Sequence, residues 1–384
     1  MKPYYESEKT NLYCNKMELA LPTLLENHFD SCVTDPPYGL KFMGKKWDYN
    51  VPTVEQWQEV YRVMKPGAFL LSFGGTRTYH RMVVNIEDAG FEIRDQIQWL
   101  YGSGFPKSLD VGKAVDKLQG NERKTTGTNG VTRIAGGMFV GENEGTREYT
   151  KGNSPYEGFG TALKPANEPI CLARKPIEGT VAANVLKWGT GGLNIDGCRV
   201  ELNGEKRPTG SGQIDSWREK EERNDRQARI QTFTSPAGRF PANVIHDGSD
   251  EVVRLFPNTK SVASGYNWEE SKQGNVPITK NIKSGIHFGD SGSAARFFYV
   301  AKASKAERGE GNNHVTVKPL KLMCYLCRLV TPPGGTVLDC YVGSGTTGVA
   351  AQIEGFDFIG IDKDIRIATR RIEDTDPLFQ AVGL

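Results

Sequence analysis

Little in these 384 residues marks a secreted or membrane protein. The seven cysteines are an odd number, and they lie scattered along the chain. That gives no disulfide framework and points to a reducing compartment. Only Cys324 and Cys327 have the CxxC spacing of a zinc site, and no second pair of ligands sits at matching spacing. Within LKLMCYLCRLV they read as small apolar residues on a helix. No apolar run approaches the roughly 20 residues that span a bilayer. The opening MKPYYESEKT lacks the apolar core of a signal peptide. The expectation is a cytoplasmic protein with no membrane partner and no metal. Charge of one sign is also missing: 48 Lys and Arg against 46 Asp and Glu leave a net +2. Bulk charge therefore does not announce a nucleic-acid binder, although a local basic face stays open.

What the chain does have is alternating strand-like and helix-like segments at both ends. NLYC (11–14), DSCVTD (30–35), AFLLSF (68–73) and FEIRDQIQWLY (91–101) read as strands. Between them, LALPTLLENH reads as a short helix interrupted by proline, and 54–65 and 77–90 have helical spacing. This alternation predicts an α/β fold with a parallel sheet. The pattern dissolves after about 102. Residues 120–160 are crowded with Gly, Thr, Asn and Glu and read as loop, and 215–231 reads as a solvated charged helix or linker. A strand and a helix are expected within 167–197, a strand over 293–302 and an amphipathic helix over 317–333. A strand, glycine loop, helix, strand and second helix then fill 335–373. At this length, two lobes or one domain with a large insertion are expected.

Two stretches carry chemistry. In SCVTDPPYGL (31–40) a buried strand ends at Asp35, and Pro36 and Pro37 stiffen the corner before Tyr38. About three hundred residues later, VLDCYVGSGTTG ends a strand at Asp339. It then forms a loop at Gly343, Ser344 and Gly345, and Thr346 and Thr347 open a helix. Gly343, Gly345 and Gly348 make GxGxxG, a loop that brings backbone close to a ligand. Asp362 ends the next strand, where an acid can bind two ribose hydroxyls. No Gly-Lys-Ser/Thr follows, so a P-loop is excluded. The acid at Asp339 suits a cationic ligand such as S-adenosylmethionine (AdoMet), with its ammonium and sulfonium, better than a pyrophosphate. NAD binding and a ligand-free turn remain alternatives.

Together these residues resemble the DNA amino-methyltransferases, which modify exocyclic amines. Asp35-Pro36-Pro37-Tyr38 matches the catalytic signature, and Tyr341-Val342-Gly343-Ser344-Gly345 matches the AdoMet loop, with Tyr where Phe is usual. VKPLKL, with Lys318, resembles the family's Lys-Pro motif, and CNKME offers Asn15 where an acid is common. The order, catalytic motif first and AdoMet loop last, resembles the circularly permuted β group. The resemblance implies a Rossmann-like AdoMet-dependent sheet, permuted and carrying a large irregular insertion. Its parts would be a catalytic half over 1–102, a target-recognition region over 103–310 and an AdoMet-binding half over 311–384. It implies AdoMet as methyl donor, double-stranded DNA as partner and, from β-group habit, a homodimer. Asp35, Pro36, Pro37 and Tyr38 would be catalytic. Asn15, Asp35, Lys318, Asp339, Tyr341, Gly343, Ser344, Gly345, Thr346, Thr347 and Asp362 would bind the cofactor. SGFPKSLD, TALKPANEPI, GRFPANVIHD and ARFFYVAKAS also resemble methylases of phages and prophages, which implies a bacterial or phage-encoded enzyme of the restriction-modification kind. Asp as the first motif residue leans toward adenine N6 over cytosine N4. Cytosine C5 methylation needs a Pro-Cys nucleophile, and no Pro-Cys pair occurs. An inactive DNA-binding relative is the alternative of another class. Arg123, Lys124, Arg133, Arg147, Arg174, Lys175, Arg239 and Arg296 are the candidate DNA contacts.

Overall fold

Strands that alternate their side chains between two covered faces organise the molecule. A computed structural model describes residues 1–40, 48–106, 108–129, 147–202, 238–260, 291–301 and 317–382. The strands are β1 (Tyr5–Glu6), β2 (Thr10–Cys14), β3 (Phe29–Thr34), β4 (Met64–Phe73), β5 (Glu92–Leu100), β6 (Lys124–Asn129), β7 (Arg147–Lys151), β8 (Asn167–Arg174), β9 (Val244–His246), β10 (Asn258–Lys260), β11 (Ser291–Ser293), β12 (Tyr299–Val300), β13 (Thr336–Asp339) and β14 (Asp357–Asp362). The helices are α1 (Met17–Ala20), α2 (Val54–Val63), α3 (Tyr79–Asp88), α4 (Val111–Gln119), α5 (Val181–Trp188), α6 (Asp250–Val253), α7 (Leu320–Val330), α8 (Thr346–Ile353) and α9 (Arg366–Val382).

The central sheet has the order β1-β2-β14-β13-β3-β4-β8-β5-β9-β12. The last two strands of the chain are thus inserted between β2 and β3, near the middle of the sheet. Strands β2, β14, β13, β3 and β4 are mutually parallel. The expected parallel sheet is present, with two antiparallel strands in it. The short β1 runs antiparallel to β2, and β8 runs antiparallel between β4 and β5. Since β8 runs the other way, its first residues lie at the edge where β4 ends.

Side chains of β4 divide by period two. Phe69, Leu71 and Phe73 pack in the core that includes α7 and α8. Ala68 and Leu70 pack with Trp57, Val60 and Ile86 of α2 and α3 on the other face. Helix α2 begins at a capping box in which Thr53 and Gln56 bond each other's backbone N–H. At the opposite edge Asp30 accepts from Lys65 Nζ at 2.6 Å and from the Thr336 N–H at 2.9 Å, stapling β3 to β4 and β13.

Among the described residues, the middle of the chain holds more regular structure than its composition suggests. Helix α4 was not expected, although its signals were present: Asp110 caps it, accepting from Lys113 N at 2.9 Å, and Gly120 ends it at φ 69°. Within 120–160, read as loop, β6 and β7 pair as an antiparallel ladder. Polar Thr side chains suit an exposed two-stranded ribbon that buries no face, so no hydrophobic alternation marked it. The strand expected over 293–302 is mostly a 3-10 turn, Ala294–Phe297, capped by Ser293, followed by the two-residue β12. The charged segment 215–231 lies outside the described residues. Among the described residues no helix is long and apolar enough to cross a membrane, and no group of three or more His, Cys, Asp or Glu could hold a metal ion.

Trp57 is fully buried at the centre of the α2 face. Trp57→Ala should lower the unfolding free energy by about 3–5 kcal/mol, read from urea denaturation. A loss under about 1 kcal/mol would contradict its place in the core.

Candidate active site

Strands β3 and β13 lie side by side and parallel, with Val337 opposite Ser31 and Leu338 opposite Cys32. Their carboxyl ends therefore meet at one edge, where open α/β sheets bind ligands. The Asp35 corner leaves β3 there and the glycine loop leaves β13. Thr34 Oγ1 donates to Asp339 Oδ1 at 2.6 Å, and the Tyr341 N–H donates to the same oxygen at 3.0 Å. One buried carboxylate thus ties the end of β3 to the loop across some three hundred residues.

The loop is held from several sides. The Gly343 N–H donates to Asp362 Oδ2 at 2.9 Å, and the Asn15 N–H donates to the Asp362 carbonyl at 2.8 Å. Asn15 Oδ1 accepts from the Lys16 N–H at 2.9 Å. Gly345 has φ 81°, and a Cβ there would lie 2.8 Å from the Ala368 Cα, so the loop needs glycine for both backbone angle and space. Arg371 Nη1 donates to the Ser344 carbonyl, the Ser344 hydroxyl and the Thr346 hydroxyl. Thr346 and Thr347 are buried at the start of α8, and Tyr341 packs against the α2 face.

The corner holds a compact charge cluster. Tyr38 Oη donates to Asp35 Oδ1 at 2.7 Å and lies 3.2 Å from Glu168 Oε2. Lys318 Nζ lies 2.9 Å from Asp35 Oδ2 and 2.8 Å from Glu168 Oε2, and it donates to Tyr38 Oη at 3.0 Å. The ammonium also sits 4.7 Å from the centre of the Phe73 ring. Thr78 Oγ1 donates to the Tyr38 carbonyl at 2.5 Å, and Gly75 leaves room for the Tyr38 ring: a Cβ there would lie 3.2 Å from it. Lys318, expected at the cofactor, thus bonds the Asp35 corner. Glu168 was not anticipated from the sequence. It stands at the start of β8, and only the antiparallel course of that strand brings it to the corner. The signal available was the NEPI phrase, an acid opening an apolar strand.

A family model described as N6_N4_Mtase, DNA methylase, matches residues 29–372. The chain belongs to this DNA methylase family. It is 42% identical over 82 residues to the type II methyltransferase M.BglI of Bacillus subtilis, covering 18% of this chain and 24% of that protein. It is 30% identical over 145 residues to the type II methyltransferase M2.DpnII of Streptococcus pneumoniae, covering 36% of this chain and 48% of that one. The chain thus spans from about a quarter to about half the length of these curated relatives. The structure is also similar to that of PvuII DNA methyltransferase, a cytosine-N4-specific enzyme, at 13% identity and a TM-score of 0.43, over 98% of this chain and 94% of that one.

The electrostatics of the methylase corner follow from burial and pairing. At Lys318, burial works against the charge, but Asp35 and Glu168 outweigh it and hold the ammonium above the usual lysine range. Burial, with the same two carboxylates, pushes the Tyr38 phenol well up. Five of the candidate DNA contacts are engaged inside the protein. Arg123 pairs with Asp116 and Glu157, and Arg174 with Glu92. Lys175 donates to Asn27 and to the Tyr61 and Met64 carbonyls. Arg239 bonds the Glu201 and Arg296 carbonyls, and Arg296 those of Gly292 and Ser293. Lys124 is exposed, while Arg133 and the Arg147 side chain lie outside the described residues. Cys324 and Cys327 are buried and free in α7, as expected of core residues.

Burial pushes the Asp339 carboxyl from 3.8 up to about 6, partly offset by bonds from Thr34, Thr347 and the Tyr341 N–H. A raised carboxyl takes up a proton more readily in the folded state. Its favourable contribution is complete below pH 3.8 and is lost as the pH rises through about 6. Relative to Asp339→Asn, the wild type should therefore lose about 3 kcal/mol of stability between those limits. Parallel stability curves from denaturation at several pH values would remove that assignment.

Proposed function

We propose that this methylase transfers a methyl group from AdoMet to the exocyclic N6 amine of adenine in double-stranded DNA. The observation that carries the reading is the Asp35 corner lying one hydrogen-bonded strand from the glycine loop, on the same sheet edge. The residues at the loop fit AdoMet. Asp339 is a buried carboxylate whose partners are two hydroxyls and an N–H, so it favours an incoming cation. Asp362 ends β14 beside Gly343 and suits ribose hydroxyls. AdoMet supplies an activated methyl on a sulfonium.

The remaining chemistry falls to the chain's own residues. The amine is a weak nucleophile because its lone pair is conjugated with the ring. Acceptors at its two N–H groups draw the nitrogen toward tetrahedral geometry and free that pair. Asp35 already accepts from Tyr38 and Lys318, but a carboxylate has about four acceptor sites, so about two remain, enough for the base. The Pro36 carbonyl, held by two consecutive prolines, is the second acceptor, a case of preorganisation. The base must leave the duplex to reach this edge, and the Tyr38 ring gives it a surface to stack on. Asp as the first motif residue favours adenine. We place target recognition in 103–310, outside β8, β9 and β12, which belong to the sheet.

Asp35→Ala should reduce methylation by roughly 100-fold or more while AdoMet binding, followed by calorimetry, persists. Loss of AdoMet binding in the folded variant would move Asp35 to the cofactor. Asp362→Ala should weaken AdoMet binding instead, and an unchanged affinity would count against the ribose role. Product analysis tests the base: labelled AdoMet, unmethylated genomic DNA, digestion and mass spectrometry of the nucleosides. N6-methyladenine supports the reading, and N4-methylcytosine keeps the mechanism but changes the base. No label in DNA overturns the function.

A further inference from the structure

The cluster at the corner contains two carboxylates and one ammonium, one acid more than an ion pair needs. Lys318 touches both Asp35 and Glu168, and the Tyr38 hydroxyl lies between the same two acids. Asp35 is the group that meets the base under the function proposed above, on which this inference rests. Glu168 stands behind it, reached through Tyr38 and Lys318. We infer that Glu168 is the terminal proton acceptor of methyl transfer, receiving the proton from Asp35 through the Tyr38 hydroxyl. It keeps Lys318 paired meanwhile.

The balance of charge explains why a second acid is useful. As the base nitrogen bonds the methyl carbon, the methyl–sulfur bond breaks. The positive charge of the sulfonium passes to the nitrogen, which must lose one of its two protons. Asp35, hydrogen-bonded to that N–H, takes it. Neutral Asp35 no longer neutralises Lys318, and a buried unpaired ammonium is costly. Glu168, 2.8 Å from the same Nζ, keeps it paired.

The relay then resets the site. The Tyr38 oxygen takes the proton from Asp35 at 2.7 Å as its own hydroxyl proton passes to Glu168 at 3.2 Å. The two transfers are concerted, so no phenolate forms. Asp35 is again a carboxylate bonded to Lys318, and one acid of the pair is ionised at every stage. The Glu168 side chain is 21% exposed and can release the proton to water. Glu168 acts through Tyr38 and Asp35 and does not touch the base, so its role is that of a positioning and relay residue.

The test is single-turnover methylation, with labelled AdoMet and DNA that the wild type is shown to methylate. Glu168→Gln preserves an acceptor for Lys318 but cannot take a proton. It should slow the turnover on the order of 100-fold, with AdoMet and DNA affinities within about twofold of wild type. Glu168→Asp should recover part of the rate. Tyr38→Phe keeps the ring and removes the relay, so it should be slowed similarly. The double variant should be no slower than the worse single one, because both break the same path. A Glu168→Gln rate within about twofold of wild type, or losses that multiply in the double variant, would overturn the relay. Should Glu168→Gln fail to fold, Glu168→Asp and Tyr38→Phe decide the matter by the same criteria. A wild type that methylates no DNA overturns the function itself, a result distinct from failure of the relay alone.

Discussion

The pairing of β3 with β13 is the constraint on which the site depends. Two segments far apart in the chain run parallel and end together, and the Thr34 hydroxyl bonds the Asp339 carboxylate where they end. Parallel strands place their carboxyl ends at one edge. The corner after β3 and the loop after β13 are neighbours for that reason, not because of any contact between their own motifs. Asp30 and Ser31 secure the other end of the same pair: Asp30 accepts from the Thr336 N–H, and the Ser31 hydroxyl bonds that of Thr331. A slip of register would turn Val33 out of one core and Cys32 out of the other.

The charge cluster is assembled from three distant parts of the chain. Asp35 comes from the end of β3, Glu168 from the start of β8, and Lys318 from just before α7. Opposite charges taken from water need good geometry to offset desolvation. Here the ammonium bonds two carboxylates and a phenol and rests over the Phe73 ring. The antiparallel β8 is therefore more than an exception in a parallel sheet. Reversing it would carry Glu168 to the opposite edge and leave Lys318 with one acid.

The middle of the chain is partly built into the same body. Strands β8, β9 and β12 extend the central sheet, while α4 and the β6–β7 ribbon are fastened by the half-buried Arg123 with Asp116 and Glu157. Basic residues that look like DNA contacts in a linear reading are consumed this way. Arg174 and Lys175 close the far end of β8, and Arg296 folds back on its own turn. A guanidinium with internal carboxylate or carbonyl partners is a structural clamp before it is a phosphate ligand.

The sequence by itself determined the α/β class, the Asp35 corner, the glycine loop and the order in which the two occur. Each rests on local rules: alternating periodicity, prolines that stiffen a strand end, and glycines where backbone must turn or approach closely. It also identified the α7 cysteines as core residues from their neighbours alone. Short elements without a buried stripe were illegible, which is why the β6–β7 ribbon was read as loop and β12 as longer than it is. The partners of Lys318 and the position of Glu168 were decided only by tertiary structure. Neither follows from spacing, because strand direction and order in the sheet place residues 35, 168 and 318 within hydrogen-bonding distance. Which arginines are spent internally was likewise decided in three dimensions, since pairing depends on which carboxylates the fold brings near.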